Sequence, residues 1–185
     1  MNDFIEKIQK AYNEGDIFTA FDLETTGLDP KADKIVEIGA VKFDNKGIIA
    51  RFSTLINPGI PMPKEAERVN KISDDMLKNK PAINEVFPDF LCFIQGTVLL
   101  AHNTSFDLSF INEKLKEFSA SPFPALPNRI ADTLLLSREI FPAFHSHSLQ
   151  NLAYALGIKA IDAHRAEDDA RLCMEIFLRC IRKTI

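Results

Sequence analysis

The sequence predicts an α/β fold: a mixed sheet that begins as an antiparallel meander, continues with parallel strands and is flanked by helices. Three strand-like segments come first, and helical and strand-like segments then alternate to the end of the chain. The chain has 185 residues, of which 46% are hydrophobic, which suits one globular domain with a sizeable core. We therefore expect residues 1–185 to form a single domain, with residues 1–16 as an N-terminal helical extension.

The first half of the chain carries the meander. Apolar residues at helical spacing between residues 4 and 12, followed by Gly15, predict a short N-terminal helix. Three segments rich in β-branched and aromatic residues predict strands at residues 17–23, 35–43 and 48–56. The second and third are separated by an Asp-Asn-Lys-Gly sequence at residues 44–47, which is typical of a hairpin turn.

The second half of the chain alternates between helix and strand. Three prolines within residues 58–63 exclude a strand or a helix there and predict a loop. Beyond it, periodicity predicts a strand at residues 97–101 and helices near residues 84–94, 108–118, 133–141, 149–156 and 166–181. A segment rich in serine and proline at residues 119–124 predicts a loop inside the domain.

Charge and hydropathy exclude two classes of protein. A net charge of −4 argues against a protein that holds nucleic acid by a generally basic surface, so any nucleic acid must be bound locally. The N-terminus lacks the basic and apolar regions of a secretory signal. No stretch approaches the about 20 apolar residues that span a bilayer. We expect a cytoplasmic protein that does not interact with membranes.

Two carboxylates stand at the end of the first predicted strand. Asp22 and Glu24 are two residues apart, so their side chains point to the same face. The strand is apolar on both faces, which indicates a central strand, and such strands end in the clefts where α/β proteins bind ligands. The pair could be solvated charges on an outer strand, a general acid and base as in glycosidases, or ligands of a hard cation.

Two further segments place acids where a helix begins. Asp107 follows a buried-looking strand and opens a helix, although an aspartate there can simply stabilise the helix start. His164 and Asp169 are five residues apart, not the four that would place both on one helix face. We therefore expect His164 on the loop before the last helix, free to reach across a site; the alternative is a capping or surface histidine.

Together the three segments resemble the motifs of the DEDDh family of 3′-to-5′ exonucleases, which includes the proofreading subunit of bacterial replicative polymerases. Asp22 and Glu24 fall on an Asp-x-Glu-Thr-Thr-Gly pattern, and Asp107 on His-Asn-x-x-Phe-Asp. His164 and Asp169 fall on His-Arg-Ala-x-x-Asp-Ala. The resemblance extends from residue 17 to the last helix. Three motifs in order are far more specific than any one of them.

The resemblance implies an RNase H-like fold and a single exonuclease domain. It assigns metal binding to Asp22, Glu24, Asp107 and Asp169. It thereby selects Asp169 over Asp168 as the ligand, and we expect Asp168 to be a helix-start or surface acid. Four clustered carboxylates repel one another and attract cations; two Mg²⁺ ions, with Mn²⁺ as a substitute, would balance their charge. Two such ions can serve an in-line phosphoryl displacement.

The resemblance also assigns the remaining roles. His164 would be the general base, since an imidazole accepts a proton near neutral pH. The residues expected to bind the terminal nucleotide are Thr25, Thr26, Gly27, Leu28, His102 and Asn103, all of which could instead have ordinary turn or capping roles. Arg165 could contact a phosphate or be a solvated residue of the first helical turn.

The expected activity is metal-dependent 3′-to-5′ hydrolysis of single-stranded DNA, releasing nucleoside 5′-monophosphates in proofreading or repair. The expected partners are single-stranded 3′ ends and a DNA polymerase subunit. Two alternatives stay open: an exoribonuclease or oligonucleotide-degrading enzyme of the same family, since the catalytic residues do not report a preference about the 2′-hydroxyl, and a non-catalytic module that binds strand ends.

Overall fold

The computed structural model describes residues 3–118, 126–162 and 164–183, so the loop predicted at residues 119–124 lies outside the described residues. The strands are β1 (Phe18–Thr25), β2 (Ile35–Asp44), β3 (Gly47–Leu55), β4 (Val98–Ala101) and β5 (Ile130–Asp132). The helices are α1 (Asp3–Asn13), α2 (Lys64–Asn70), α3 (Asp74–Leu77), α4 (Ile83–Ile94), α5 (Thr104–Glu117), α6 (Thr133–Ile140), α7 (Leu149–Ala155) and α8 (Ala166–Lys183).

The strands form one mixed sheet in the order β3-β2-β1-β4-β5. β1, β2 and β3 pair antiparallel, and β4 and β5 continue the sheet parallel to β1. The predicted mixed sheet, with its meander followed by parallel strands, is therefore confirmed. β1 is the central strand, as its apolar sequence indicated.

Apolar side chains cover both faces of the sheet. On one face Phe18 and Phe43 pack against Phe177 of α8, in a core that α1 shares through Ile5 and Ile8. On the other face Phe21 and its neighbours pack against α4 and α5. The N-terminal helix is thus part of the main core within the described residues. None of the described helices combines the length and the apolar character that a membrane span requires.

Three short elements were not predicted. α2 and α3 follow the proline-rich segment, and β5 has only three residues, too few for a periodic pattern. α5 begins at Thr104, four residues earlier than predicted. The Asp132 carboxylate accepts hydrogen bonds from the backbone N–H groups of Asn103 and Thr104 at 3.2 and 3.0 Å. A residue of β5 thus provides acceptors for N–H groups at the start of α5 that have no partner within the helix.

Candidate active site

β1 presents two carboxylates on the face that α8 covers. Asp22 and Glu24 continue the alternation of Phe18 and Ala20, whose side chains lie in the core beneath α8. The antiparallel register places Asp22 opposite Gly39 of β2 and Glu24 opposite Glu37. Both carboxylates are only partly exposed. The predicted convergence of the pair is confirmed.

Asp107 reaches the same place from the first turn of α5. Its Oδ1 accepts a hydrogen bond from the backbone N–H of Leu23 at 3.1 Å. β4 pairs with β1 only along residues 18–20, so the Asp107 carboxylate takes a backbone donor beyond the end of the paired segment. This contact fixes the buried Asp107 side chain at the backbone of Leu23, the residue between the two acids of β1 in sequence.

Asp169 lies in the first turn of α8, and Gln150 of α7 donates a hydrogen bond to its Oδ1 at 2.7 Å. α8 can approach β2 this closely because Gly39 has no side chain. A Cβ at Gly39 would stand 2.0 Å from the carbonyl carbon of Ala166 and 2.1 Å from the nitrogen of Glu167. A glycine on β2 therefore allows the helix to bring Asp169 to β1.

One carboxylate oxygen each from Asp22, Glu24 and Asp169 lie within 4.8 Å of one another. Asp107 is outside that group of three, but its charge acts on the group. After burial, the charge of Asp107 is the largest cause that raises the pKa of Asp22. The structure thus brings all four predicted carboxylates to the end of β1. Such a set of hard oxygen donors can hold a divalent cation.

Burial and mutual repulsion shape the acidity of the cluster. Burial raises the pKa of Glu24 to about 8, and the charges of Asp169, Glu37 and Asp107 add to the rise. Burial raises the pKa of Asp107 to about 7 and that of Asp169 to about 6. The Gln150 hydrogen bond and the charge of His164 partly oppose the rise at Asp169. Without a cation, these groups retain protons at pH values where free carboxyls have lost them.

His164 stands in the turn before α8, as its spacing from Asp169 predicted. Its side chain is exposed, and its backbone φ of 64° lies in the left-handed region. A residue other than glycine rarely adopts this conformation, so the surrounding turn must hold it there.

The loop after β1 is closed by hydrogen bonds. The Thr26 hydroxyl donates to Asp33 at 3.1 Å and accepts from the backbone N–H of Lys34 at 2.9 Å. Gly27 leaves room for the Asp33 carboxylate, which a Cβ would meet at 2.4 Å. Thr25 donates to the carbonyl of Gly27 at 2.6 Å. The loop holds Leu28 with 83% of its surface exposed beside the cluster's strand end.

The two residues after β4, His102 and Asn103, differ in whether their polar side-chain atoms are free to bind a ligand. Both ring nitrogens of His102 have partners within the chain, the Thr133 hydroxyl at 3.0 Å and the carbonyl of His147 at 2.8 Å. Its nitrogens therefore link β4 to the segment before α7. Asn103 is exposed, with φ of 73°. Its side-chain oxygen accepts from the Ser105 hydroxyl at 3.1 Å.

The structure narrows the alternatives stated for two residues. Arg165 is not a solvated residue, because it forms an ion pair at 2.7 Å with Glu37, whose side chain is 1% exposed. Asp168 is at the helix start, as one alternative predicted, and it is not a surface acid, because it is buried and accepts hydrogen bonds from the backbone N–H groups of Ile161 and Asp162. Glu37 was missed altogether. A lone acid inside the apolar run of β2 was the signal that could have revealed it.

The sequence is similar to known exonucleases over most of its length. The model of the RNase_T family, described as exonuclease, matches residues 19–177. DNA polymerase III subunit epsilon of Treponema pallidum is 50% identical over 173 residues, covering 92% of this chain and 79% of that protein. DNA polymerase III PolC-type of Caldanaerobacter subterraneus is 42% identical over 166 residues, covering 90% of this chain but only 12% of that much longer protein.

Solved structures agree in fold. Exonuclease X in complex with 5′ overhanging duplex DNA superposes with a TM-score of 0.71 at 24% identity, covering 89% of this chain and 91% of that one. Exonuclease I of E. coli in complex with a dT13 oligonucleotide gives 0.76 at 20% identity, covering 91% of this chain and 41% of that one. Both share the RNase H-like arrangement. With the family match and the three motifs around one acidic cluster, the chain belongs to the RNase_T exonuclease family and is a 3′-to-5′ exonuclease of the DEDDh type.

Proposed function

We propose that the chain removes nucleotides from the 3′ end of single-stranded DNA as nucleoside 5′-monophosphates, with Mg²⁺ as its cofactor. The observation that carries the proposal is the convergence of Asp22, Glu24, Asp107 and Asp169 at the end of the central strand, with His164 on the adjoining turn. Binding alone would need neither four carboxylates nor a histidine at this place, which favours a catalyst over a strand-binding module.

The chemistry of the cluster fits divalent cations. The donors are all oxygens, which favours Mg²⁺ or Mn²⁺ over zinc. Asp107 and Asp169 are oriented by hydrogen bonds from Leu23 and Gln150, as outer partners commonly orient metal ligands. Burial, and after it mutual repulsion, raises the pKa values of the metal-free cluster, and a bound cation would offset both by stabilising the ionised carboxylates. We assign Asp22, Glu24, Asp107 and Asp169 as the residues that would hold the ions.

When bound, two such ions would lower the pKa of a water molecule and offset the charge that develops on the phosphate. His164 would accept the proton of the attacking water, since imidazole acts as a base near neutral pH. Its exposed side chain on the turn beside Asp169 suits a group that exchanges protons with water.

The loop at residues 25–28 is proposed to receive the terminal nucleotide. Hydrogen bonds within the loop hold exposed Leu28 as a fixed apolar surface on which a base can rest. Thr25 and Thr26 are buried, and we propose that they and the backbone at Gly27 support the nucleotide from within the loop. Asn103, at the start of α5, offers an exposed amide for the same nucleotide. Because both nitrogens of His102 are engaged, we expect its ring to contact the nucleotide through its carbon edge.

The names of the most similar relatives support a biological role. They are DNA polymerase III subunits or polymerases, so we propose that this exonuclease acts in proofreading or repair, beside a DNA polymerase subunit in the cytoplasm. The net charge of −4 supports a substrate held at the cleft and not along a broad basic surface.

Matched substrates test the proposal. Single-stranded DNA, duplex DNA with a frayed 3′ end and RNA of the same sequence are incubated with Mg²⁺, and products are resolved by length and by chromatography of released mononucleotides. We expect rapid release of nucleoside 5′-monophosphates from single-stranded DNA, with the frayed duplex slower. The variant Asp107→Asn, the control for contaminating nucleases, should be inactive. Faster degradation of RNA than of DNA would replace the proposal with an exoribonuclease.

A further inference from the structure

The turn that carries His164 is anchored on both sides by buried carboxylates. Glu37 of β2 holds the residues that follow His164, and Asp168 of α8 holds residues that precede it. Neither acid belongs to the group of three carboxylates at the cluster. Both are nearly inaccessible to solvent, so their bonds are to the protein.

The downstream anchor uses every side of the Glu37 carboxylate. Oε1 accepts from Nη2 of Arg165 at 2.7 Å, and Oε2 accepts from its Nε at 3.1 Å. Oε2 also accepts from the backbone N–H of Ala166 at 3.2 Å. Glu37 thus binds both the side chain and the backbone of the residues directly after His164. Its oxygens are committed to these donors, although Glu37 lies opposite Glu24 in the sheet.

The upstream anchor has the same design. Oδ2 of Asp168 accepts from the backbone N–H groups of Ile161 and Asp162 at 2.8 and 2.9 Å. Oδ1 accepts from Nε of Arg171 at 2.7 Å, and Arg171 in turn donates to the carbonyl of Lys159 at 2.7 Å. The segment before His164 is therefore tied to α8 by one buried acid and its arginine.

Burying the charged groups of these two anchors costs free energy, so we expect the anchors to serve the reaction as well as stability. A buried ion pair pays a desolvation penalty and is commonly no more stabilising than apolar residues of similar size. Here both pairs fix a turn whose central residue has a left-handed backbone and an exposed imidazole. A general base must stay within hydrogen-bond reach of the proton it takes, and a displacement of about 1 Å can cost about 10²-fold in rate.

We propose that Glu37 and Asp168 are positioning residues that hold the His164 turn in its catalytic place. This inference rests on the proposed role of His164 as general base. It assigns the two acids no contact with substrate or metal. Their effect on the reaction passes through His164.

Substitution by amides tests the proposal with little change of shape. In Glu37→Gln one oxygen becomes an NH₂ group that faces a donor, Arg165 or Ala166, so at least one anchor bond is lost. Asp168→Asn loses a bond to Arg171 or to the backbone in the same way. We expect each to lower kcat by about 10²-fold, with KM and the Mg²⁺ concentration for half-maximal activity unchanged. Glu167→Gln, on the same helical turn as Asp168, removes an ion pair with Arg51 of β3 and should keep normal activity.

A double-mutant cycle separates positioning from a merely structural role. His164→Ala removes the base, so adding Glu37→Gln to it should cause less than about a twofold further loss. If the two losses multiply, Glu37 does not act through His164 and the proposal is wrong. A raised Mg²⁺ requirement in Glu37→Gln would also overturn it, because the effect would then pass through the carboxylate cluster, where Glu24 lies opposite Glu37. If His164→Ala alone keeps normal activity, the general-base assignment fails instead.

Folding is checked in parallel by thermal unfolding. Should Glu37→Gln fail to fold, Arg165→Lys provides the second variant, since it keeps the charge but loses the two-pronged contact with Glu37. We expect the same pattern, a lower kcat with unchanged KM and non-additivity with His164→Ala. Normal kcat in a folded Arg165→Lys together with normal kcat in Asp168→Asn would overturn the proposal.

Discussion

Adding Mg²⁺ to the metal-free protein should raise its free energy of unfolding. The cation relieves the repulsion among four carboxylates that the fold brings together and the unfolded chain separates. The four are Asp22, Glu24, Asp107 and Asp169. The stabilisation therefore reports directly on whether these side chains form one metal site.

The structure and linkage set the size of the effect. Two unit charges 4.8 Å apart, the outer separation within the group of three, repel by about 3 kcal/mol at an effective dielectric of 20. A ligand at a hundredfold excess over its dissociation constant stabilises the folded state by about 2.7 kcal/mol. For a chain of this size, about 2–4 °C of melting temperature corresponds to each kcal/mol, so a rise of about 5–11 °C is expected.

The assay is thermal unfolding with and without saturating Mg²⁺, repeated with Mn²⁺. Asp107→Asn should shrink the rise, because it removes one charge from the cluster. The control variant Asp75→Asn changes an exposed acid of α3 that is not part of the cluster, and it should leave the rise in melting temperature intact. If the melting temperature of the unmutated protein does not respond to either metal, the two-metal site is wrong.

Three further predictions concern the base, the pH dependence and the helix contact. His164→Ala should lower turnover by about 10²- to 10⁴-fold with metal affinity unchanged, whereas Asp169→Ala should weaken both; near-normal turnover in His164→Ala would refute the base. Since burial raises the pKa of Glu24 to about 8 and of Asp169 to about 6, above unfolded values near about 4, stability is lost as pH rises through these values. The metal-free melting temperature should therefore fall between pH 5 and pH 9, and a flat profile would contradict the pKa values. Gly39→Ala should destabilise by about 1–3 kcal/mol in thermal unfolding, because its Cβ would collide with the backbone of α8; unchanged stability would show that the contact is loose.

Local patterns were sufficient for the parts of the site that follow strand and helix geometry. The two-residue spacing of Asp22 and Glu24 requires a shared face, and the apolar run around them requires a covered strand. The spacing of His164 and Asp169 places one on the turn and the other on the helix. The motif resemblance supplied the choice between Asp168 and Asp169.

The remaining features depend on contacts between distant parts of the chain. Glu37 meets Arg165 across 128 positions of sequence, and nothing beside either residue indicates the pair. Asp132 caps α5 from a strand of three residues, which is too short to show periodicity. The role of His102 likewise depends on where the carbonyl of His147 lies in the folded protein. Such packing cannot be derived from local spacing.

The polarity of degradation is the most direct test of the central claim, hydrolysis from a 3′ end at the four-carboxylate site. Three single-stranded DNA substrates of one sequence are compared with Mg²⁺: linear DNA blocked at its 3′ end, linear DNA blocked at its 5′ end, and a closed circle. We predict that only the strand with a free 3′ hydroxyl shortens, one nucleotide at a time. Cleavage of the circle, or attack on the 3′-blocked strand from its free 5′ end, would contradict it.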